Sequence, residues 1–251
     1  MSRRAASVPQ ATAAMAATEL RLALRRGETL LATAVLPVVL LLFFSSVTFL
    51  AIPGRPVDFL LPGSIAFAVA ATSLVSLGIT TAYDRHYGVL KRLGGSPLSR
   101  PELIAAKLAA VLVVEAIQVV VLVAVAVALL GWRAPDGASP MGVVAAVLLG
   151  TLAFAGLGLL LAGVVRAEAM LAVANGLFVA ALVLGGIVVP VDHLPEPLDV
   201  LAPLLPPAAL SDALRGALGA PAAGDPASSL AILAAWGLGS TAIAARTFRW
   251  D

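Results

Sequence analysis

Six long apolar segments constrain the fold of this chain more than any other feature of its sequence. A membrane-spanning helix needs roughly 20 predominantly apolar residues. The stretches that meet this requirement are Thr29–Ile52, Leu61–Tyr83, Leu108–Leu130, Met141–Val165, Ala169–Val189 and Ser228–Ala245. Membrane β-strands are about half as long and alternate in polarity, and a segment in hydrocarbon must satisfy its own backbone groups. The pattern therefore predicts an all-α integral membrane protein with six transmembrane helices.

The composition agrees with a lipid environment. Of the 251 residues, 61% are hydrophobic and 12% are charged, whereas a soluble domain has about 45–50% apolar and about 25% charged residues. The chain has no cysteine, which excludes disulfides and thiolate chemistry. The histidines of the sequence are His86 and His193, and we place them on opposite sides of the membrane, so we expect no metal site.

The residues of a nucleotide-hydrolysing site are also missing from the sequence. The phosphate-binding pattern G-x-x-x-x-G-K-[ST] does not occur, because neither Lys91 nor Lys107 follows a glycine. A serine hydrolase would need a histidine on a facing helix, and no predicted span contains one. We therefore do not expect this chain to be an enzyme or to bind a cofactor by itself. Nucleic acid is not among the expected partners.

The distribution of positive charge predicts the orientation. Thirteen of the sixteen Lys and Arg residues fall on one predicted side, together with both termini and the loop 84–102. Short loops rich in Lys and Arg stay in the cytoplasm. We therefore expect a multi-pass protein of the cytoplasmic membrane whose termini and charged loop are cytoplasmic.

The N-terminal residues, 1–28, precede the first predicted span. Leu20 and Leu24 lie one helical turn apart, with arginines on a neighbouring face. Such a segment can lie in the headgroup plane with its leucines in the acyl boundary. We predict a cytoplasmic tail that ends in an interfacial helix, followed by a single transmembrane domain over residues 29–251. The alternative is a disordered basic tail.

The most charged passage is DRHYGVLKRLGGSPLSR, residues 84–100. In it Leu90 and Leu93 fall at helical spacing, while Lys91 and Arg92 point elsewhere. The pattern predicts a short amphipathic helix between the second and third spans. The alternative is a solvated loop whose cations only set the topology.

The end of the same loop contains a helix stop and a new helix start. Gly94 and Gly95 are typical of a helix C-terminus, and Pro97 prevents its continuation. Ser99 is a favoured N-cap residue, and Glu102 then lies in the first turn of the next helix. We expect a sharp break between the amphipathic helix and the third span.

This loop resembles the segment between the second and third spans of type-2 ABC transporter permeases, the group that contains daunorubicin-resistance-type exporters. The matching residues are Asp84, Arg85, Gly88, Leu90, Arg92, Leu93, Ser96, Pro97, Leu98, Ser99 and Arg100. Residues 86, 87, 89 and 91 depart from the more usual family choices.

A second segment, Gly185–Ala220, is similar to the region between the fifth and sixth spans of the same family. The matching residues are Gly185, Gly186, Pro190, Leu194, Pro195, Pro206, Asp212, Ala213, Leu214 and Arg215. Within it Leu198–Leu205 and Ala208–Leu218 are too short to span a membrane. We predict short re-entrant helices in an external loop over residues 190–227; the alternative is a floppy external loop.

The resemblance implies a dimeric permease, formed with an identical chain or a close paralogue, in a bacterial inner membrane. A separate ATP-binding cassette subunit would bind ATP and Mg²⁺, and the charged loop would act as its coupling helix. The residues assigned to this coupling are Asp84, Arg85, Gly88, Leu90, Arg92, Leu93 and Pro97. The cargo would be an amphipathic drug, lipid or glycan, moved out of the cell. Membrane lipid would surround the protein as a further partner. The alternative function is a transporter driven by an ion gradient.

Several polar residues inside the predicted spans are candidates for the translocation path. Glu115 has three interpretations: it reaches the inner interface, pairs with Arg85 or Lys107, or lines the path, and Gln118 lies near it on the same helix. Asn175 makes either a packing hydrogen bond or a substrate contact.

A polar stripe marks the second span. Thr72, Ser76 and Thr80 recur every four residues and therefore share one face of a helix. Hydroxyl stripes of this kind usually pack helices together. The alternative is that these hydroxyls line a cavity.

Overall fold

The computed structural model describes residues 8–25, 27–47, 54–95, 99–188, 190–220 and 224–247, and every regular element in these ranges is helical. The helices are α1 (Val8–Arg25), α2 (Gly27–Ser46), α3 (Pro56–His86), α4 (Val89–Gly94), α5 (Arg100–Leu130), α6 (Pro140–Val164), α7 (Ala167–Leu184), α8 (Leu198–Leu201), α9 (Pro206–Ala217) and α10 (Pro226–Thr247). Short 3₁₀ turns occupy Val191–His193 and Ala202–Leu204.

Five of these helices, α3, α5, α6, α7 and α10, are long and apolar enough to cross a membrane. They correspond to the second to sixth predicted spans, with ends that differ by a few residues. The first predicted span falls on α2, whose apolar part, Thr33–Ser46, is shorter. Part of that span lies outside the described residues, so its membrane crossing stays a prediction.

Helix α3 lies at the centre of the bundle and contacts α2, α5, α6, α7 and α9. Its residues from Leu60 to Leu74 are all buried, because apolar and small side chains occur on every side of this helix. The segment Ala71–Ser76 has π-helical geometry. Such wide turns shift the direction of the side chains and are frequent at functional sites.

Helices α6 and α10 pack along their length through small residues. A Cβ atom added at Gly156 would collide with Ser240 Oγ and lie 2.9 Å from the backbone nitrogen of Thr241. Glycine therefore permits the close approach of these two helices, as small residues do in membrane proteins generally.

The predicted helix stop and new helix start at the end of the charged loop are confirmed. Helix α4 ends at Gly94, with Gly95 as its C-cap, and α5 begins after Ser99, whose backbone N–H donates to Glu102 Oε2 at 2.7 Å. The reciprocal bond from the N3 backbone to the Ser99 side chain completes a capping box. Pro97 lies outside the described residues. Because α5 begins at Arg100, Lys107 lies inside a continuous helix rather than before it.

Candidate functional site

The first site element is α4, the predicted coupling helix. Gly88 adopts φ +69°, a left-handed conformation that glycine tolerates, and it turns the chain from α3 into α4. The Leu90 side chain is 1% exposed and packs in a cluster that includes Leu103 and Ile104 of α5. Leu93 is partly buried against the same cluster. The apolar side of α4 therefore attaches it to the bundle.

The opposite side of α4 faces outward. Lys91 and Arg92 are both exposed, as is Tyr87 just before the helix. Two residues assigned to the coupling contact, Leu90 and Leu93, thus hold α4 in place from within this chain. The accessible surface of α4 therefore contains both cations, beside the exposed side chain of Val89.

A buried ion cluster lies at the base of α4. Lys107 is 2% exposed, and its Nζ lies 2.8 Å from Glu19 Oε1 and 3.0 Å from Asp84 Oδ2. These three residues belong to α5, α1 and α3, so one ammonium group links three helices. Arg85, next to Asp84, donates from Nη2 to the backbone oxygen of Val165 and joins the end of α3 to the end of α6.

A cavity of about 240 Å³ lies beside this ion cluster, between α1, α2, α3, α4 and α5. We call it the α1 cavity. Its polar lining includes the three hydroxyl residues of the predicted stripe, and its charged lining consists of the three members of the ion cluster. The lining residues are Met15, Thr18, Glu19, Leu22, Ala23, Thr33, Thr72, Ser76, Leu77, Thr80, Asp84, Val89, Leu93, Lys107, Ala110, Val111 and Val114.

Glu115 occupies a separate, fully buried position among α3, α5 and α6. Its carboxylate accepts hydrogen bonds from the hydroxyls of Ser73 and Thr151, and its exposed fraction is 0%. It therefore neither reaches the interface nor pairs with Arg85 or Lys107, and it is not among the cavity-lining residues.

Gln118, three residues after Glu115 on α5, bonds two residues that line the α1 cavity. Its Oε1 accepts from Thr72 Oγ1 at 3.0 Å, and its Nε2 donates to the backbone oxygen of Thr33 at 3.2 Å. Thr72 lines the cavity, whereas the adjacent Ser73 faces Glu115. The sequence interpretation missed Ser73 and Thr151. The only available signal was that Thr72 and Ser73 are consecutive hydroxyl residues near the middle of a span.

A second site lies at the other end of the bundle, around Arg215 of α9. This side chain is 2% exposed; Nη1 lies 3.0 Å from Asp212 Oδ1, and Nη2 donates to the backbone oxygen of Gly186. The guanidinium carbon lies 3.9 Å from the centre of the Phe59 ring. Burial lowers the pKa of Arg215 from its usual range, and the neighbouring Asp212 carboxylate opposes this shift.

The three prolines predicted for this region occupy different positions. Pro206 begins α9 and is buried, where a proline at the first helical turn loses no hydrogen bond. Pro190 immediately precedes the 3₁₀ turn, and Pro195 is exposed beyond it. The structure has two short helices here, α8 and α9, rather than the alternative of a floppy loop; their re-entrant position stays a prediction.

A family model matches most of the chain: that of the ABC-2 type transporter covers residues 10–218. The chain belongs to the ABC-2 type transporter family. The matched range begins within α1 and ends just after α9, and it therefore includes α4, the α1 cavity and the Arg215 site. No match was found among curated proteins.

Members of the ABC-2 type transporter family are membrane components and are generally not catalytic themselves. In the described part of this ABC-2 transporter, no three His, Asp or Glu residues are grouped so that they could hold a metal ion. The charged clusters of this transporter instead pair acids with cations inside the protein.

Asn175 lies apart from both sites of this ABC-2 transporter. It is exposed on α7, on a helix surface that also exposes Leu171, Val179 and Val183. The structure therefore does not bring Asn175 together with the other residues assigned to the translocation path.

Proposed function

We propose that this ABC-2 transporter is the membrane-spanning permease subunit of an ATP-driven exporter of the daunorubicin-resistance type. A separate ATP-binding cassette subunit binds ATP and Mg²⁺ and performs the hydrolysis. The observation that carries the proposal is the division of α4 into a buried apolar side, anchored by Leu90, and an exposed cationic side with Lys91 and Arg92. A helix built in this way presents a charged docking surface without loosening its own attachment.

The ion cluster at the base of α4 can transmit a movement of this helix to the rest of the bundle. Asp84 precedes α4 by five residues and binds Lys107, which also binds Glu19 of α1. A displacement of α4 by the partner subunit therefore acts on α1 and α5 together. Both helices line the α1 cavity, so the same displacement changes its shape.

The orientation follows from the charge distribution. In the proposed topology there are six spans, with α2 as the first, and α4 and both ends of the chain are cytoplasmic in a bacterial inner membrane. The exposed Lys91 and Arg92 lie at the end of the bundle that the positive-inside rule assigns to the cytoplasm. The Arg215 site then faces the exterior, and α8 and α9 form the external re-entrant loop.

A second permease protomer covers the outer surface of α7. Asn175 is exposed there within a membrane-capable helix, and a polar amide facing hydrocarbon is unfavourable unless it finds a partner. An identical chain or a close paralogue supplies that partner and gives the dimeric assembly.

The experiment that tests this proposal replaces Lys91 and Arg92 together by Asp. Because both side chains are exposed, the double variant should fold normally yet fail to co-purify with its ATP-binding subunit, and the ATPase activity coupled to transport should fall to the level of that subunit alone. Arg133→Asp, at an exposed position outside α4, is the matched control and should keep full coupling. Unchanged coupled activity in the double variant would refute the proposal.

The second candidate is a transporter driven by an ion gradient, and its supporting observation is the buried carboxylate of Glu115. An acidic residue inside a membrane protein is commonly functional. Transport that continues without an ATP-binding subunit but stops with a protonophore would favour this candidate. The separation of Glu115 from the α1 cavity makes the ATP-driven exporter the better-supported function.

A further inference from the structure

We infer that the α1 cavity binds an amphipathic organic cation: its apolar body packs between α1, α3 and α5, and its charged group lies near Glu19 and Asp84. The inference rests on the proposed function only where it treats this ligand as cargo. Binding itself requires neither ATP nor a partner subunit.

The size and walls of the cavity select an apolar body. Its volume is about 240 Å³, below the roughly 300–1,000 Å³ of most drug-sized sites, so it suits a single chain or a small ring system. Apolar wall residues come from three helices, among them Leu22 of α1, Leu77 of α3, and Val111 and Val114 of α5.

The charge of the lining selects a cation. Two carboxylates, Glu19 and Asp84, face one ammonium, Lys107, and no other lining residue in the described part of the chain is an Asp, Glu, Lys, Arg or His. The Lys107 side chain is 1% exposed, whereas the two acids keep 19% and 21% of their side-chain exposure. The cavity therefore contains one excess negative charge, carried by the more accessible partners. A cationic group gains attraction to it, and an anionic group of the same shape is repelled.

The exposed cations of α1 and α4 offset this charge only weakly. Arg21 and Arg25 of α1, and Lys91 and Arg92 of α4, are exposed and do not line the cavity. Solvent and salt screen exposed charges of this kind. The phosphate of an ordinary phospholipid would bring negative charge towards the two acids, so the cavity favours an amphipathic cation over the bulk lipid.

The hydroxyl residues give the ligand a polar track within the apolar wall. Thr72, Ser76 and Thr80 all line the cavity. The hydroxyl of Thr80 donates to the backbone oxygens of Ser76 and Leu77, which directs its own oxygen lone pairs away from the helix backbone. Ser76 is half-buried at the middle of this track, so a probe at this position reports on occupancy.

A cysteine-protection experiment tests the inference, because the natural chain contains no cysteine. The full-length Ser76→Cys variant is placed in phosphatidylcholine nanodiscs without ATP and alkylated with N-ethylmaleimide, with the rate followed by mass spectrometry. Decyltrimethylammonium and decyl sulfate are the probes, since they share a chain length and differ in charge. The ammonium should slow alkylation saturably and about fivefold more than the sulfate, the ratio expected for an ion pair at a partly exposed site.

Further variants assign the effect to the cavity. Adding Glu19→Gln to Ser76→Cys removes the excess charge and should abolish the preference for the ammonium, whereas Glu19→Asp should retain it. Ala110→Leu, at a lining position, should fill part of the cavity and weaken protection without changing its charge. A Ser228→Cys thiol, at an exposed position near the start of α10, should react at the same rate with or without either probe.

The outcomes separate this inference from the proposed function. Equal protection by both probes, no protection by either, or a preference that persists after Glu19→Gln would each overturn it. If the Glu19 variants do not fold, the comparison of the two probes on Ser76→Cys still decides. If the Lys91 and Arg92 double variant loses its ATP-binding subunit, the preference of the cavity for the ammonium probe should remain. If the cavity fails to bind the cation, binding of the ATP-binding subunit should remain.

Discussion

Lys107 Nζ lies 3.0 Å from Asp84 Oδ2, which places the buried ammonium of α5 against the final turn of α3, just before the chain turns into α4. The same ammonium binds Glu19 of α1 at 2.8 Å. A lysine is rarely buried unless it is paired, and here each of its two bonds leads to a different helix. At the base of α4 one side chain therefore links α5 to both α1 and α3, and its loss would remove both links.

Lys107→Met should lower the free energy of unfolding by about 2–4 kcal/mol. Removing one partner of a buried ion pair costs about 3–5 kcal/mol, and the partial exposure of Glu19 and Asp84 reduces that cost. Unfolding in mixed micelles measures the change. Lys91→Met, at an exposed position on α4, is the control, and equal stability of the two variants would show that the ion cluster does not hold the helices.

Glu115→Ala should lower the free energy of unfolding by about 1–3 kcal/mol, the cost of leaving a buried polar group without its partner. The Ser73 hydroxyl loses its acceptor, whereas Thr151 keeps a bond to the backbone oxygen of Val147. Glu115→Gln retains an acceptor oxygen and should be milder. The comparison is with Glu168→Ala at the exposed start of α7; an equally small effect at both positions would contradict the buried network.

The membrane spans were predictable because they depend only on local composition. In lipid, an apolar stretch of about 20 residues forms a helix because its backbone groups must be hydrogen-bonded within the segment. Helices α3, α5, α6, α7 and α10 follow the predicted segments. The capping box between Ser99 and Glu102 was predictable for the same reason, since its partners are three residues apart. Features of this kind can be predicted because all the residues that form them lie close together in the sequence.

The ion cluster was not predictable, because Glu19 and Lys107 are 88 residues apart and no local rule pairs them. The buried face of α4 was ambiguous too: an amphipathic helix has an apolar face whether that face binds its own bundle or a partner. Only the position of α5 shows that Leu90 faces inward. The π-helical turn in α3 likewise depends on tertiary packing, since the backbone of Gly158 approaches Ser73 and Leu74 there.

Gly63→Ala should lower the thermal stability through a clash between backbones. A Cβ at this position would run into the carbonyl group of Ile187, and a backbone atom cannot move aside as a flexible side chain does. We expect a loss of about 1–3 kcal/mol, the usual cost of overpacking. Gly239→Ala, where a Cβ would meet nothing within 4 Å, should be neutral or stabilising by up to about 1 kcal/mol. The melting temperatures of both variants in detergent check this, and a stable Gly63→Ala would mean that α3 and the segment after α7 are not in close contact.

Arg215→Lys should loosen α9 even though the charge is kept. The guanidinium contacts Asp212, the backbone oxygen of Gly186 and the face of Phe59 at once. A lysine ammonium is a compact point charge without the planar fork needed to reach all three. We expect a loss of about 2 kcal/mol, measured by thermal unfolding, together with faster hydrogen exchange in α9.

A matched substitution isolates the geometry of the Arg215 site from its charge. Arg133→Lys changes the same chemical group at an exposed position, where a surface substitution shifts stability by no more than about 0.5 kcal/mol. Arg215→Met removes the charge and leaves Asp212 buried without its partner, so its loss should exceed that of Arg215→Lys. If Arg215→Lys instead matched Arg133→Lys, charge alone would suffice at this position. The contacts with Gly186 and Phe59 would then contribute nothing to the attachment of α9 to the ends of α3 and α7.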